Sequence, residues 1–170
     1  MKDKKLVGIV VGSDSDLDVI AETTKMLDNF GVGYELNIIS AHRTPDKAHK
    51  YAATAQARGI EVLIAGAGGA AHLAGVMAAY TVLPVIGVPI PTNLSGGLDS
   101  LLSIVQMPGG VPVATVAVGK SGAKNAGILA VQILGLKYPA LSKKLKQYKT
   151  VLAAEVAAKN KKIRRHDYKD

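Results

Sequence analysis

Short apolar runs alternate with longer amphipathic segments along this chain. Five runs rich in β-branched and other apolar residues predict strands, at residues 5–12, 34–40, 61–67, 83–90 and 111–119. The segments between and after them have helical spacing, at residues 16–31, 45–59, 70–80, 98–107 and 122–135. Several strand runs are apolar at consecutive positions, as in a parallel sheet that helices cover on both faces. The pattern predicts a doubly wound α/β domain of about five strands.

The C-terminal segment differs from the rest of the chain in charge. Residues 137–170 contain 11 Lys and Arg against 3 Asp and Glu, which accounts for the formal net charge of +8, whereas residues 1–136 contain 10 of each. Apolar residues at spacings of three and four predict an extended amphipathic helix there, with Leu141, Leu145, Tyr148, Leu152 and Val156 on one face. We expect a single domain over 1–170, with an α/β core at 6–136 and a basic helix and tail at 137–170 that packs on a neighbouring subunit.

Composition excludes several classes of protein. The chain has no cysteine, which rules out a disulfide scaffold and a thiolate nucleophile and is typical of a cytoplasmic protein. No apolar stretch approaches the roughly 18 residues of a membrane span, so we expect no membrane partner. The basic tail lacks the series of stacking aromatic residues that single-strand binders use. We therefore interpret its lysines as a solvated face and expect no nucleic-acid partner.

Polar or glycine-rich segments follow each of the first four predicted strands. They are GSDSD at 12–16, SAHRT at 40–44, GAGGAAH at 66–72 and PIPTN at 89–93. Because parallel strands point the same way, the loops after them meet at one edge of the sheet, where ligands bind at the switch in strand order. The sequence predicts a binding site at that edge.

The first of these segments has the chemistry of an anion and sugar site. Capping of the following helix accounts for one of its serines and aspartates, but not for four of them. Amides at a helix N-terminus and the hydroxyls of Ser13 and Ser15 suit a phosphate, whereas the carboxylate of Asp16 suits ribose hydroxyls.

The second segment combines a structural turn with two reactive side chains. The start of the helix accounts for two of these residues, with Thr44 as the N-cap and Pro45 at the first helical position. His42 and Arg43 have no such explanation. Arg43 can bind a phosphate with two hydrogen bonds, and His42 can exchange a proton near neutral pH, so we interpret it as catalytic.

The third segment admits two interpretations. Gly66-x-Gly68-x-x-Ala71 fits a variant dinucleotide fingerprint, so a dinucleotide-binding oxidoreductase is an alternative. However, the acidic residue expected about 20 positions later is missing, since none occurs between Glu61 and Asp99. The small residues otherwise indicate close approach of the backbone to a flat ligand or a helix, with His72 as a second polar contact. No carboxylate and histidine cluster has the spacing of metal ligands.

Four segments together resemble a known family. They are GSDSD, SAHRTPD, AGAGGAAHLAG and GLDSLLSIVQMPGGVPVATVAVGKSGAKNAG, within a likeness that runs from Leu6 to Leu136. They resemble the N(5)-carboxyaminoimidazole ribonucleotide mutases of purine biosynthesis, the class I relatives of aminoimidazole ribonucleotide carboxylase. The resemblance implies a flavodoxin-like three-layer α/β/α fold, a homo-octamer, and a C-terminal helix that contacts a neighbour.

The resemblance also implies a reaction and a set of site residues. The carboxylate on the exocyclic nitrogen of the nucleotide moves to a ring carbon without metal, ATP or biotin, so we expect no cofactor. His42 would carry the proton, and the substrate-binding residues would be Ser13, Ser15, Asp16, Ser40, Arg43, Gly68, Gly69, Ala70, His72 and Leu73.

The chain departs from the family pattern at two places. Ala74 stands where many relatives have proline, and PIPTNLSGG differs from the usual loop, so no contacts are assigned there. A direct carboxylase that uses carbon dioxide is the alternative within the family. Arg43 favours the mutase, because the direct carboxylases tend to have lysine at this position.

Overall fold

Five strands form one parallel sheet in the computed structural model, which describes residues 3–166 and, beyond residue 161, only the side chain at position 163. The strands are β1 Lys5–Val11, β2 Gly33–Ile38, β3 Val62–Ala67, β4 Val85–Pro89 and β5 Ala114–Thr115. They are ordered β2-β1-β3-β4-β5, and every pair is parallel. This is the flavodoxin-like order, in which the direction of winding switches between β1 and β3.

Within the described residues, six α-helices connect and cover the strands. They are α1 Leu17–Phe30, α2 Pro45–Ala55, α3 Leu73–Ala79, α4 Leu98–Val105, α5 Gly119–Gly135 and α6 Pro139–His166. Single 3-10 turns precede α1 at Asp14–Asp16 and follow α2 at Gln56–Arg58. Among the residues described, no helix is long and apolar enough to cross a membrane.

The helices divide between the two faces of the sheet. On one face, α1, α5 and the start of α6 bury a cluster that includes Leu27, Val131 and Leu141. On the other face, α2, α3 and α4 bury a second cluster that includes Met77 and Ile104. The central strands β1, β3 and β4 are buried almost throughout, which explains their consecutive apolar residues. The prediction of a three-layer α/β/α domain is confirmed.

The fifth strand is much shorter than the sequence predicts. The apolar run at 111–119 contributes only two residues to the sheet. As an edge strand β5 pairs with β4 alone, and Pro112 has no N–H group to donate. Beyond Thr115, one further bond joins the Val116 amide to the Gly87 carbonyl. The remainder of the run forms the loop that leads into α5, which begins at Gly119 rather than at residue 122.

The start of α5 packs closely against this loop. A Cβ atom built on Gly122 would overlap the carbonyl oxygen of Ala117. The loop and the first turn of α5 therefore approach each other at a distance that only glycine permits.

The long helix α6 has two parts with different surroundings. In the first part, Leu141 is fully buried and Tyr148 packs edge-on against Phe30 of α1 at a centroid distance of 5.6 Å. Lys144 Nζ also donates a hydrogen bond of 2.6 Å to the carbonyl oxygen of Phe30. In the second part, Val156 is 58% exposed and Ile163 is 56% exposed. The described chain thus covers the apolar face of the first part and leaves that of the second part open.

Candidate active site

A cavity of about 500 Å³ opens at the carboxyl ends of β1 and β3, where the strand order switches. The loops after β1, β2, β3 and β4 form its walls. Every residue that the sequence assigned to the site lines this one cavity: Ser13, Ser15, Asp16, Ser40, His42, Arg43, Gly68, Gly69, Ala70, His72 and Leu73.

The loop after β1 is held by a capping box. The Ser13 hydroxyl accepts a hydrogen bond from the Ser15 amide at 3.3 Å, and the Asp16 carboxylate accepts one from the Ser13 amide at 3.2 Å. The Ser15 hydroxyl lies 2.9 Å from that of Ser13. Capping therefore explains one serine and one aspartate, and it also fixes two hydroxyls side by side at the cavity wall.

Asp16 is the buried charge of this loop. The residue is 7% exposed, and this burial raises the pKa of its carboxyl group above the usual value. Hydrogen bonds from Ser15 and from the Ser13 amide act in the opposite direction. The carboxylate is an acceptor in a partly dry site, where hydroxyl donors of a ligand are favourable partners.

The loop after β2 closes on itself before α2 begins. Thr44 occupies the N-cap position and Pro45 the first helical position, as predicted, but the Thr44 hydroxyl does not bond to the helix. Instead it donates to the Ser40 carbonyl at 2.9 Å and accepts from the Ser40 amide at 3.1 Å. The Ser40 hydroxyl in turn accepts from the Arg43 amide at 3.1 Å. These bonds fix the backbone that presents His42 and Arg43.

Two histidines meet across the cavity. His42 Nε2 lies 2.8 Å from His72 Nδ1, with the rings nearly perpendicular at 82°. One nitrogen of this pair must donate and the other must accept. His72 accepts when His42 is the imidazolium and, as the other tautomer, donates when His42 Nε2 is unprotonated. The contact can therefore hold the His42 ring in either protonation state.

The loop after β3 supplies backbone rather than long side chains. Gly68 and Ala70 are exposed at the cavity, and Gly69 has a φ of 65°, in the left-handed region that favours glycine. Gly66, by contrast, is buried in β3, where a Cβ would lie 2.9 Å from Ile20. The glycines of this segment thus divide between packing under the sheet edge and lining of the cavity.

The loop after β4 completes the cavity and was not assigned from the sequence. Ile90, Pro91 and Thr92 line it. The Thr92 hydroxyl donates to the Asp99 carboxylate at 2.6 Å, and this bond is the main reason that the pKa of Asp99 is lowered. Their position directly after a buried parallel strand had placed PIPTN at this edge of the sheet, but the departure from the family pattern left its contacts unassigned.

The arrangement combines proton transfer with anion binding. Among the described lining residues, Arg43 has the only guanidinium or ammonium group, and it lies on the loop that also presents Ser40 and His42. Among the side chains that the structure describes, no cluster of three or more His, Cys, Asp or Glu could hold a metal ion. The cavity can hold an anionic, hydroxyl-rich ligand against an imidazole.

Comparison with known proteins gives a consistent result. The model of the AIR carboxylase family matches residues 6–155. A Thermotoga maritima protein named N5-carboxyaminoimidazole ribonucleotide mutase is 58% identical over 96% of this chain and 95% of its own. A Bacillus subtilis protein of the same name is 59% identical over 82% and 86%.

A solved structure gives the same result for the fold. The crystal structure of Treponema denticola PurE superimposes with a TM-score of 0.85 and 27% identity, over 94% of this chain and 99% of that chain. The chain belongs to the AIR carboxylase family.

Proposed function

We propose that this protein is an N5-carboxyaminoimidazole ribonucleotide mutase, an isomerase of purine biosynthesis. It moves the carboxylate from the exocyclic nitrogen of its substrate to a ring carbon, which gives 4-carboxy-5-aminoimidazole ribonucleotide. Relatives that share more than half of their residues with this chain bear that name. The observation that carries the proposal is the contact between His42 and His72 in a cavity that is also lined by hydroxyls and a guanidinium.

The nucleotide is bound by the loops after β1 and β2. The adjacent hydroxyls of Ser13 and Ser15 and the guanidinium of Arg43 bind the phosphate, since charge-assisted bonds to phosphate are the stronger kind. Asp16 accepts hydrogen bonds from ribose hydroxyls, because a carboxylate would repel the phosphate itself. Ser40 adds a polar contact beside Arg43.

His42 moves one proton in each direction. As the imidazolium it donates a proton to the exocyclic nitrogen while the bond from that nitrogen to the carboxyl carbon breaks, which releases carbon dioxide. The ring carbon then forms its bond to carbon dioxide, and neutral His42 removes the proton from that carbon. The imidazolium is restored, so the reaction has no net consumption of protons.

The loop after β3 holds the reacting end of the substrate. The backbone of Gly68, Gly69 and Ala70 lies against the imidazole ring of the substrate. Leu73 supplies an apolar side chain at the same wall. Carbon dioxide must remain in place between the two steps, and a closed, dry wall retains it without a metal. The proposal therefore includes no cofactor.

The test is conversion of N5-carboxyaminoimidazole ribonucleotide, followed by ultraviolet absorbance with and without added bicarbonate. We expect product without bicarbonate. Strict dependence on aminoimidazole ribonucleotide plus bicarbonate would show a direct carboxylase instead. Binding without conversion would leave only a nucleotide-binding protein.

The proposal extends to assembly and location. The second part of α6 exposes Val151, Val156 and Ile163 on a helix that continues beyond its contacts with α5. We assign this part to a contact with a neighbouring subunit in a cytoplasmic homo-octamer; residues 167–170 of the predicted tail lie outside the described residues. Light scattering of the purified chain should give eight chain masses, and a monomer would contradict the assembly.

A further inference from the structure

Helix α4 approaches the cavity from behind the loop after β3. Residues 98–105 do not line the cavity, yet two serines of this helix bond to the backbone of Gly69. They lie within the segment GLDSLLSIVQMP, whose resemblance to the family has no assigned role in the chemistry. The two hydrogen bonds hold Gly69 on both sides of its Cα atom, one at the N–H and one at the C=O.

Ser100 makes the stronger of the two hydrogen bonds to Gly69. Its side chain is fully buried, and its hydroxyl accepts from the Gly69 amide at 2.9 Å while donating to the Ile90 carbonyl at 2.7 Å. The hydroxyl thereby ties the loop after β3 to the loop after β4. Both of these loops are walls of the cavity.

Ser103 makes the other hydrogen bond to Gly69. Its hydroxyl lies 3.1 Å from the Gly69 carbonyl oxygen and 2.8 Å from the Asp99 carbonyl oxygen. A hydroxyl carries one proton, so these two acceptors share it. We therefore expect the Ser103 contact to be weaker than the Ser100 contact.

These two hydrogen bonds determine which backbone groups of the loop point away from α4. In a trans peptide the N–H and C=O groups point in opposite directions. With the Gly69 N–H directed to Ser100, the Gly68 carbonyl points away from α4. With the Gly69 carbonyl directed to Ser103, the Ala70 N–H also points away, and both Gly68 and Ala70 are exposed at the cavity.

The residue before Ser100 in the helix extends the same attachment. Asp99 accepts from the Thr92 hydroxyl at 2.6 Å and from the Ser100 amide at 2.9 Å. The first turn of α4 is thus fixed to Thr92, Ile90 and Gly69 in turn. Left-handed Gly69 has few conformational restraints of its own, so its peptide planes depend on these bonds and on one backbone bond of 2.8 Å, which the Gly69 carbonyl accepts from the Ala71 amide.

We propose that Ser100 and Ser103 are positioning residues that fix the peptide planes on either side of Gly69 and thereby orient the backbone against the reacting end of the substrate. The inference rests on the proposed function, because it takes the cavity as the place of reaction. Neither serine touches the substrate. They act through Gly68 and Ala70.

Ser100→Ala tests this role because it removes both bonds of the hydroxyl. We expect kcat to fall by roughly ten- to a hundredfold, since small displacements at a reacting centre have effects of that size. KM should change by less than about threefold, because the loops after β1 and β2 hold the nucleotide. Ser100→Thr keeps the hydroxyl and should recover kcat, while Ser103→Ala should lower kcat by a smaller factor.

Thr23→Val is the matched control. Thr23 is also fully buried, and its hydroxyl donates to the Ala123 carbonyl at 2.7 Å between α1 and α5. Its loss should lower Tm as Ser100→Ala does but leave kcat unchanged. Equal kcat in Ser100→Ala and in the unchanged enzyme, or equal losses in Ser100→Ala and Thr23→Val, would overturn the proposal.

Hydrogen exchange of the peptide that spans residues 67–72 gives a second reading. Its amides should exchange faster in Ser100→Ala and not in Thr23→Val, since only the former frees the Gly69 N–H. If the unchanged protein does not turn over the substrate, the proposed function fails. The exchange rates still decide whether Ser100 and Ser103 hold the backbone at Gly69. If Ser100→Ala does not fold by circular dichroism, Ser103→Ala takes its place, and unchanged exchange in that variant would overturn the inference.

Discussion

Replacement of His42 by asparagine should lower kcat by about two to four powers of ten, the usual contribution of a positioned proton carrier. Asparagine is of similar size and can still accept or donate a hydrogen bond to His72, which lies 2.8 Å from the His42 ring. It cannot be protonated near neutral pH, so both proton transfers lose their carrier. Steady-state turnover and the Kd of the nucleotide, measured by calorimetry, should separate: the first falls and the second stays near that of the unchanged enzyme.

Arg43→Ala supplies the contrast on the same loop. It removes the guanidinium from the cavity but leaves the imidazole in place, so the Kd and KM of the nucleotide should rise more than kcat falls. Turnover in His42→Asn equal to that of the unchanged enzyme would remove the mechanism. Equal losses of affinity in both variants would indicate a damaged loop rather than two separate roles.

Replacement of Gly122 by alanine should prevent stable folding. The added Cβ would overlap the carbonyl oxygen and carbon of Ala117, and these atoms belong to the backbone and cannot rotate aside. Relief requires the loop to move away from α5, which covers one face of the sheet. We expect a loss of at least about 4 kcal/mol in the free energy of unfolding, in the range of exceptional single substitutions. Circular dichroism and denaturant unfolding measure it.

Gly109→Ala is the matched control for this change. A Cβ on Gly109 would meet no atom within 4 Å. The same substitution should therefore leave Tm close to that of the unchanged protein or raise it slightly, because alanine narrows the unfolded ensemble. A Gly122→Ala variant that unfolds at the same denaturant concentration as Gly109→Ala would contradict the close approach seen at the start of α5.

The sequence predicted the fold well where local pattern and final environment agree. β1, β3 and β4 are apolar at consecutive positions because both of their faces are covered. The run at 111–119 is apolar for another reason: Val113 and Val116 pack against the two hydrophobic clusters from a loop. Composition alone cannot distinguish these two kinds of burial, so β5 was overextended.

The site was predictable for a topological reason. Loops that follow parallel strands share one edge, so the chemistry of Ser13, His42 and Gly69 could be placed together without coordinates. The hydrogen bonds from α4 to Gly69 were not predictable in this way. Ser100 and Ser103 lie on a helix outside the cavity walls, 31 and 34 residues beyond the glycine that they hold. Nothing in the local pattern distinguishes them from serines on a helix surface.

The buried carboxyl group of Asp16 has an energetic consequence for the folded protein. Burial raises the pKa of this group in the folded chain, whereas in the unfolded chain it is about 3.9. The folded state therefore binds the proton more tightly, and this favourable contribution to stability is complete in acid and is lost as the pH rises through the folded pKa. Above that folded pKa, the loop after β1 therefore contains a carboxylate whose burial is unfavourable. In the proposed function, a ribose hydroxyl that donates to Asp16 offsets part of this desolvation cost and so favours binding of a sugar at this loop.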